Sequence, residues 1–146
     1  MGDSLRHRAR RLPPDHAAGR RGEDLAHRFL RRQGYTIVAR NFATRSGAGE
    51  IDLIAYDGPT LVFVEVKTRH PNQTAAPASA VDQTKRDRLC RAARQVAGMQ
   101  GRAFEVTRFD IVSIVLSDPV AIDHLRDAFH PARFPDHSPA DRRVAI

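Results

Sequence analysis

Very little in this chain can tie it to a membrane, a disulfide framework or a zinc centre. It has one cysteine, Cys90, at an apolar helical spacing that reads as a small core position in a reducing compartment. The seven histidines show no ligand spacing, and with a single thiol no zinc set can be assembled. No apolar run approaches the roughly eighteen residues of a membrane span. The Arg-rich start lacks the apolar stretch of a secretory signal. The cytoplasm is therefore the expected compartment. Lysine is scarce as well: of 24 Lys and Arg residues, only Lys67 and Lys85 are lysines.

What is present in quantity is arginine. Against 17 acidic residues the chain carries a net charge of +7, with a pI near 10.9. Guanidinium forks match phosphate oxygens bidentately, so this balance suits a polyanionic partner such as nucleic acid. A high-GC coding bias would also replace Lys by Arg, without any functional cause. At 146 residues, 41% of them hydrophobic, the chain reads as one domain able to bury a sizeable core.

Patterning divides it into a basic arm (1–18), a folded domain (19–130) and a flexible tail (131–146). The arm holds Arg6, Arg8, Arg10, Arg11 and Pro13-Pro14 with few apolar residues. A helix is predicted from about Arg20 to Gln33, ended by Gly34, with Gly22, Ala26, Phe29 and Leu30 inward and Glu23 at the border of that face. A strand follows over Tyr35–Asn41, then a loop from Thr44 to Gly49. A second helix is predicted from Val81 or Gln83 to Met99, with Leu89, Ala92, Ala93 and Val96 inward. Arg88, Arg91 and Arg94 form a basic stripe on its other side, which by itself reads as a solvated face. Phe109–Val115 reads as a further strand, and 120–129 as a last strand leading into a short turn. Helix, three strands, helix and one or two strands predict an α/β/α sandwich around a mixed sheet.

The chemistry concentrates in the stretch between the helices. Gly49-Glu50-Ile51-Asp52-Leu53-Ile54 and Val62-Phe63-Val64-Glu65-Val66-Lys67 flank the turn signal Asp57-Gly58-Pro59-Thr60, so they read as a β-hairpin. Strand alternation puts Leu61, Phe63, Glu65 and Lys67 on one side and Val62, Val64 and Val66 on the other. Hairpin closure brings Asp52 to the Glu65 side. Two carboxylates and a lysine among apolar neighbours are costly unless compensated, and a hard divalent cation compensates them.

Helix-borne Glu, Ile51-Asp52 and Glu65-Val66-Lys67 together resemble the PD-(D/E)xK nuclease superfamily. Gly22-Glu23-Asp24, Gly34-Tyr35, Arg40-Asn41-Phe42, the two hairpin motifs, Val81-Asp82-x-x-Lys85, Arg108-Phe109-Asp110 and Ala128-Phe129 are more closely similar to the bacterial YraN-type endonuclease-like family, over about residues 19–130. Archaeal Holliday-junction resolvases are relatives in fold. The resemblance implies a restriction-endonuclease-like core in which Asp52 and Glu65 ligate Mg²⁺ (or Mn²⁺), with the Val66 backbone carbonyl as a third ligand. Lys67 would orient or help deprotonate the attacking water, and Glu23 would support a second metal or a metal-bound water. Lys85, at a helix start, Arg69, Arg45 and Arg40 are the candidate phosphate contacts. Gln83 and Glu50 are weaker candidates. Asp110 reads as a local hydrogen-bonding residue and stays outside the catalytic set.

The expected function is metal-dependent endonucleolytic hydrolysis of DNA phosphodiester bonds, on branched or structured DNA. The alternative is a catalytically silent nucleic-acid-binding module. A homodimer is compatible with either, and a basic surface for an acidic protein partner is a third reading.

Overall fold

The protein is described by a computed structural model over residues 17–44, 49–73, 83–132 and 143–144. Helix α1 (Ala17–Arg32) opens it, three residues earlier than predicted, because Ala17 and Ala18 extend the helix as good helix formers. It ends at Gly34 (φ +93°). Gly34 N–H donates to the Arg31 carbonyl and Tyr35 N–H to the Leu30 carbonyl, both at 3.0 Å. This Schellman closure needs a left-handed residue, which glycine supplies without strain. Ala26, Phe29 and Leu30 are buried, as the spacing predicts.

Strands β1 (Thr36–Ala43), β2 (Glu50–Asp57) and β3 (Thr60–Arg69) form an antiparallel meander. The predicted hairpin closes through Gly58-Pro59, with Asp57 opposite Thr60. Gly58 has φ +56°, the left-handed geometry that suits the first place of a two-residue loop. Helix α2 (Gln83–Met99) and a single 3₁₀ turn (Phe104–Val106) lead to β4 (Arg108–Val115), which pairs parallel to β3. Strand β5 (Ala121–Leu125) returns antiparallel. Arg143–Val144, within the predicted tail, adds a two-residue strand β6 to β5. The sheet order follows the sequence, β1 to β6, and only the β3–β4 pair is parallel.

One helix covers each face, giving the expected α/β/α layers. Phe29 and Leu30 of α1 pack with Leu53, Val62, Val64, Val112 and Ile114. Leu89, Ala93 and Val96 of α2 pack with Ile54, Leu61, Phe63, Phe109 and Ile111, and half-buried Cys90 joins them. Strands covered on both sides must be apolar on both sides, which is why β3 and β4 read as nearly continuous hydrophobic runs. α1 lies unusually close to β3. A Cβ on Gly22 would stand 1.8 Å from Thr68 Oγ1, so only glycine fits there. Among the described residues no helix is long and apolar enough to cross a membrane.

A buried polar network ties the far ends of these elements together. Asp110, wholly buried, accepts hydrogen bonds from Arg108 Nε (2.9 Å), Tyr35 Oη (3.1 Å) and Asp127 N–H (3.0 Å), and His124 Nε2 lies 2.8 Å from its Oδ2. Arg108 also donates to Asp57 Oδ2, which Arg126 reaches as well. The network faces the α1 side, since Asp110 shares strand parity with Val112 and Ile114. Asp110 is thus a structural hydrogen-bonding residue and lies on the opposite face from Glu65.

Candidate metal centre and its cleft

Asp52 and Glu65 meet where the β2–β3 ladder stops. The last registered pair is Leu53 with Val64, so the next residues outward are Asp52 and Glu65, on the α2 face. Val66 N–H donates to Asp52 Oδ2 at 2.8 Å, and the two carboxyl groups share a hydrogen bond. Glu65 is only 6% exposed. Burial drives the Asp52 carboxyl well above the ordinary carboxylate range, the Glu65 and Glu23 charges push it further, and the Val66 N–H opposes them. A pair this crowded favours either a shared proton or a cation.

The first turn of α2 supplies the nearest positive charge. Lys85 Nζ forms an ion pair with Glu65 Oε1. Lys85 therefore sits inside the acidic site, whereas the sequence placed it only at a helix start awaiting phosphate. Between the strands and α2 lies an open cleft of about 580 Å³, lined by Gly49, Glu50, Asp52, Glu65, Lys85 and Arg88, with Gln83 at its rim. Gly49 (φ +145°) allows the close approach: a Cβ there would lie 3.3 Å from Arg88 Cβ. Lys67 is half-buried on the Glu65 face, in register with Ser113 of β4.

Glu23 stands apart from this pair. It projects from α1, is 8% exposed, and has Arg40 Nη2 at 3.9 Å. Burial raises its pKa, with Asp24 and Glu50 adding to the effect and an Asn41 hydrogen bond and the Arg40 charge offsetting it. Its Oε2 is buried and accepts no hydrogen bond among the described residues. It influences Asp52 through charge. Among the described residues, no three His, Cys, Asp or Glu side chains cluster tightly enough to hold a metal ion together. The adjacent acidic pair at the cleft is thus Asp52 and Glu65, with Glu50 also on the cleft wall, and Val66 is held at Asp52 by its N–H.

The predicted phosphate contacts divide. Arg40 is engaged by Asp24 at 2.6 Å and by Glu23, so it braces α1 against β1. Arg69 shares strand parity with Glu65 and Lys67 but donates to the Gln73 carbonyl at 3.3 Å. Arg45 lies outside the described residues. Arg88 went unrecognised as a cleft residue because, in a stripe with Arg91 and Arg94, it resembles any solvated helix face. Its signal was Gly49, a glycine just before the acidic strand. The Asp110 network was also missed as a unit. The pattern Arg108-x-Asp110, two charges on one side of an apolar strand, was its trace.

Residues 22–114 match the family profile described as "Uncharacterised protein family UPF0102". A UPF0102 protein of Solibacter usitatus is 53% identical over 122 residues, covering 84% of this chain and 91% of the relative. One of Koribacter versatilis is 48% identical, covering 80% and 82%, and one of Nocardia farcinica is 46% identical, covering 82% and 94%.

Proposed function

Because the chain belongs to the UPF0102 family, the YraN-like PD-(D/E)xK nuclease-like family, we propose that its cleft hydrolyses DNA phosphodiester bonds with a divalent cation. The observation that carries this reading is the adjacent Asp52–Glu65 pair, with Lys67 on the same strand face, opening into a cleft edged by Arg88. The donors suit the ion. Magnesium commonly uses one or two carboxylates and keeps several waters, so two carboxylates and a backbone carbonyl are a sufficient protein share. Crowded carboxylates are also the groups that gain most from an added cation, since it removes the repulsion that raises the Asp52 pKa. When bound, the cation supplies Lewis-acid stabilisation and a water that ionises more readily.

The remaining work falls to the chain. Asp52 and Glu65 hold the ion; the Val66 N–H fixes the Asp52 rotamer. Lys67 orients the attacking water and balances charge developing on the phosphoryl oxygens. Arg88, at the cleft wall, faces an incoming phosphate. Glu23, with one oxygen lacking a hydrogen bond, supports a water or second cation from the α1 side. Branched or structured DNA remains the favoured substrate. Cutting two strands would pair two copies, and β1, the end strand of the sheet, is suited to that contact. The cytoplasm, where Cys90 stays reduced, is the compartment of this reading.

One observation favours the alternative, a nucleic-acid-binding module without catalysis: Lys85 already neutralises Glu65. Cleavage of labelled linear, flap and four-way-junction DNA with Mg²⁺ or Mn²⁺ separates the two. The nuclease reading expects metal-dependent products that disappear in Asp52→Ala and fall by about 10²- to 10⁴-fold in Lys67→Ala. Intact substrate in all three proteins, with salt-sensitive binding retained, establishes the binding module instead.

A further inference from the structure

A second cavity of about 580 Å³ lies on the other flank of α2, between that helix and Phe129, His130 and Pro131. It meets the acidic cleft at Gln83, which lines both. The basic stripe of α2 is therefore split in two. Arg88 faces the acidic cleft, while Arg91 and Arg94 face this groove together with Arg86. Three arginines stand there against one carboxylate, Asp87, which accepts a hydrogen bond from Gln83 at 2.9 Å.

Two of these guanidinium groups are held by aromatic rings. Arg94 lies 4.1 Å from the Phe104 ring centroid and Arg86 lies 5.1 Å from that of Phe129. A guanidinium stacked on a ring loses little further rotamer freedom when its edge binds an anion, so both are pre-organised as phosphate forks. Eight residues of helix separate them by about 12 Å. At about 3.4 Å of rise per nucleotide, that spans three to four nucleotides of a stacked strand. Burial pushes the Cys90 thiol in this groove up to about 11, so it stays protonated at neutral pH.

We infer that this groove is a track for the phosphate backbone of a nucleic-acid strand, carrying a single-stranded arm away from the Asp52–Glu65 cleft past the start of α2. The inference rests on the nuclease reading for its partner class and adds to it a preference for substrates with an unpaired arm. An acidic protein segment would find the same charge but not the regular spacing of phosphates.

The test is fluorescence anisotropy in EDTA, using a blunt duplex and the same duplex with a single-stranded arm, over a range of salt. Wild type, Arg91→Gln and Arg91→Gln/Arg94→Gln are compared. Wild type should bind the armed duplex more tightly. The double variant should lose that advantage, with the slope of log Kd against log salt flattened by about 1.4, or about 0.7 for each strand phosphate released. Arg91 Nε donates to the backbone carbonyl of Asp87 in its own helix, at 3.4 Å, so the single variant keeps the fold and should show half the change. Equal binding and equal slopes for all three proteins overturn the inference. So does selective loss of polyglutamate binding with DNA binding unchanged. Because no metal is present, a protein that never cleaves DNA can still satisfy this test, and the failure of catalysis is read separately.

Discussion

Replacing Gly22 by alanine sets two known effects against each other at one position. Alanine in a helix interior is favoured over glycine by about 1 kcal/mol. Here, however, the new Cβ would lie 1.8 Å from Thr68 Oγ1, 2.8 Å from Thr68 Cβ and 2.9 Å from Cγ2. Rotating Thr68 moves the hydroxyl but leaves its Cβ in place, so the helix itself must lift from β3. Ordinary contact begins near 3.4 Å and Thr68 Cβ would stand at 2.8 Å, which requires a shift of about 0.6 Å across a packed layer. Overpacking of this kind costs about 1–3 kcal/mol, and it displaces Glu23, the next residue. The expected outcome in urea unfolding is a net loss of up to about 2 kcal/mol for Gly22→Ala. In the Thr68→Gly background the obstacle is gone, and the same substitution should become stabilising. A double-mutant cycle should report a coupling of about 1–3 kcal/mol. If Gly22→Ala alone stabilises the protein by its full helix-propensity gain, the close approach of α1 to β3 is wrong.

Two further outcomes follow from the buried charges. Burial opposes ionisation of Asp110, but hydrogen bonds from His124 and Arg108, the Arg108 charge and the Asp127 N–H outweigh it and hold the carboxyl below its ordinary value near 3.8. A depressed carboxyl stabilises the fold above its unfolded pKa, and that contribution is lost as pH falls through the folded value. Asp110→Asn should therefore cost about 3–5 kcal/mol at neutral pH, where Arg108 would lose the more deeply buried of its two carboxylate partners and keep only Asp57. The difference from wild type should hold down to about pH 4 and shrink below it, as followed by urea unfolding at stepped pH. Lys85→Ala should tighten Mn²⁺ binding severalfold, because the ammonium group occupies Glu65; unchanged affinity in a calorimetric titration would show that Lys85 does not compete for the site.

Much of this was legible because its signals were local. Period-2 alternation in β3 assigned Glu65 and Lys67 to one face, and the Gly58-Pro59 turn set the register that brings Asp52 beside Glu65. Gly34 marked the end of α1 correctly. What escaped depends on tertiary distance. Arg40 pairs with Asp24 because α1 brings that carboxylate within 2.6 Å of it, a partner that its place in β1 does not reveal. Lys85 reaches Glu65 because the β3–α2–β4 crossover lays α2 over the end of β3, which no spacing within α2 reveals. Glu23 acts on Asp52 through its charge although its helix packs on the other face of the sheet, a relation that no spacing within α1 reveals. β6 has two residues and no hydrophobic pattern; it is recruited by unpaired backbone at the edge of β5, a demand that side-chain periodicity does not record.

The central claim is that Asp52 and Glu65 form a divalent-cation site, and titration of Mn²⁺ followed by electron paramagnetic resonance of the free ion tests it most directly. Wild type should remove Mn²⁺ from solution saturably, with Mg²⁺ competing, and Asp52→Asn/Glu65→Gln should remove none while remaining folded by circular dichroism. Equal Mn²⁺ uptake by the two proteins, or none by wild type, would contradict the claim and leave the pair as a proton-sharing dyad neutralised by Lys85.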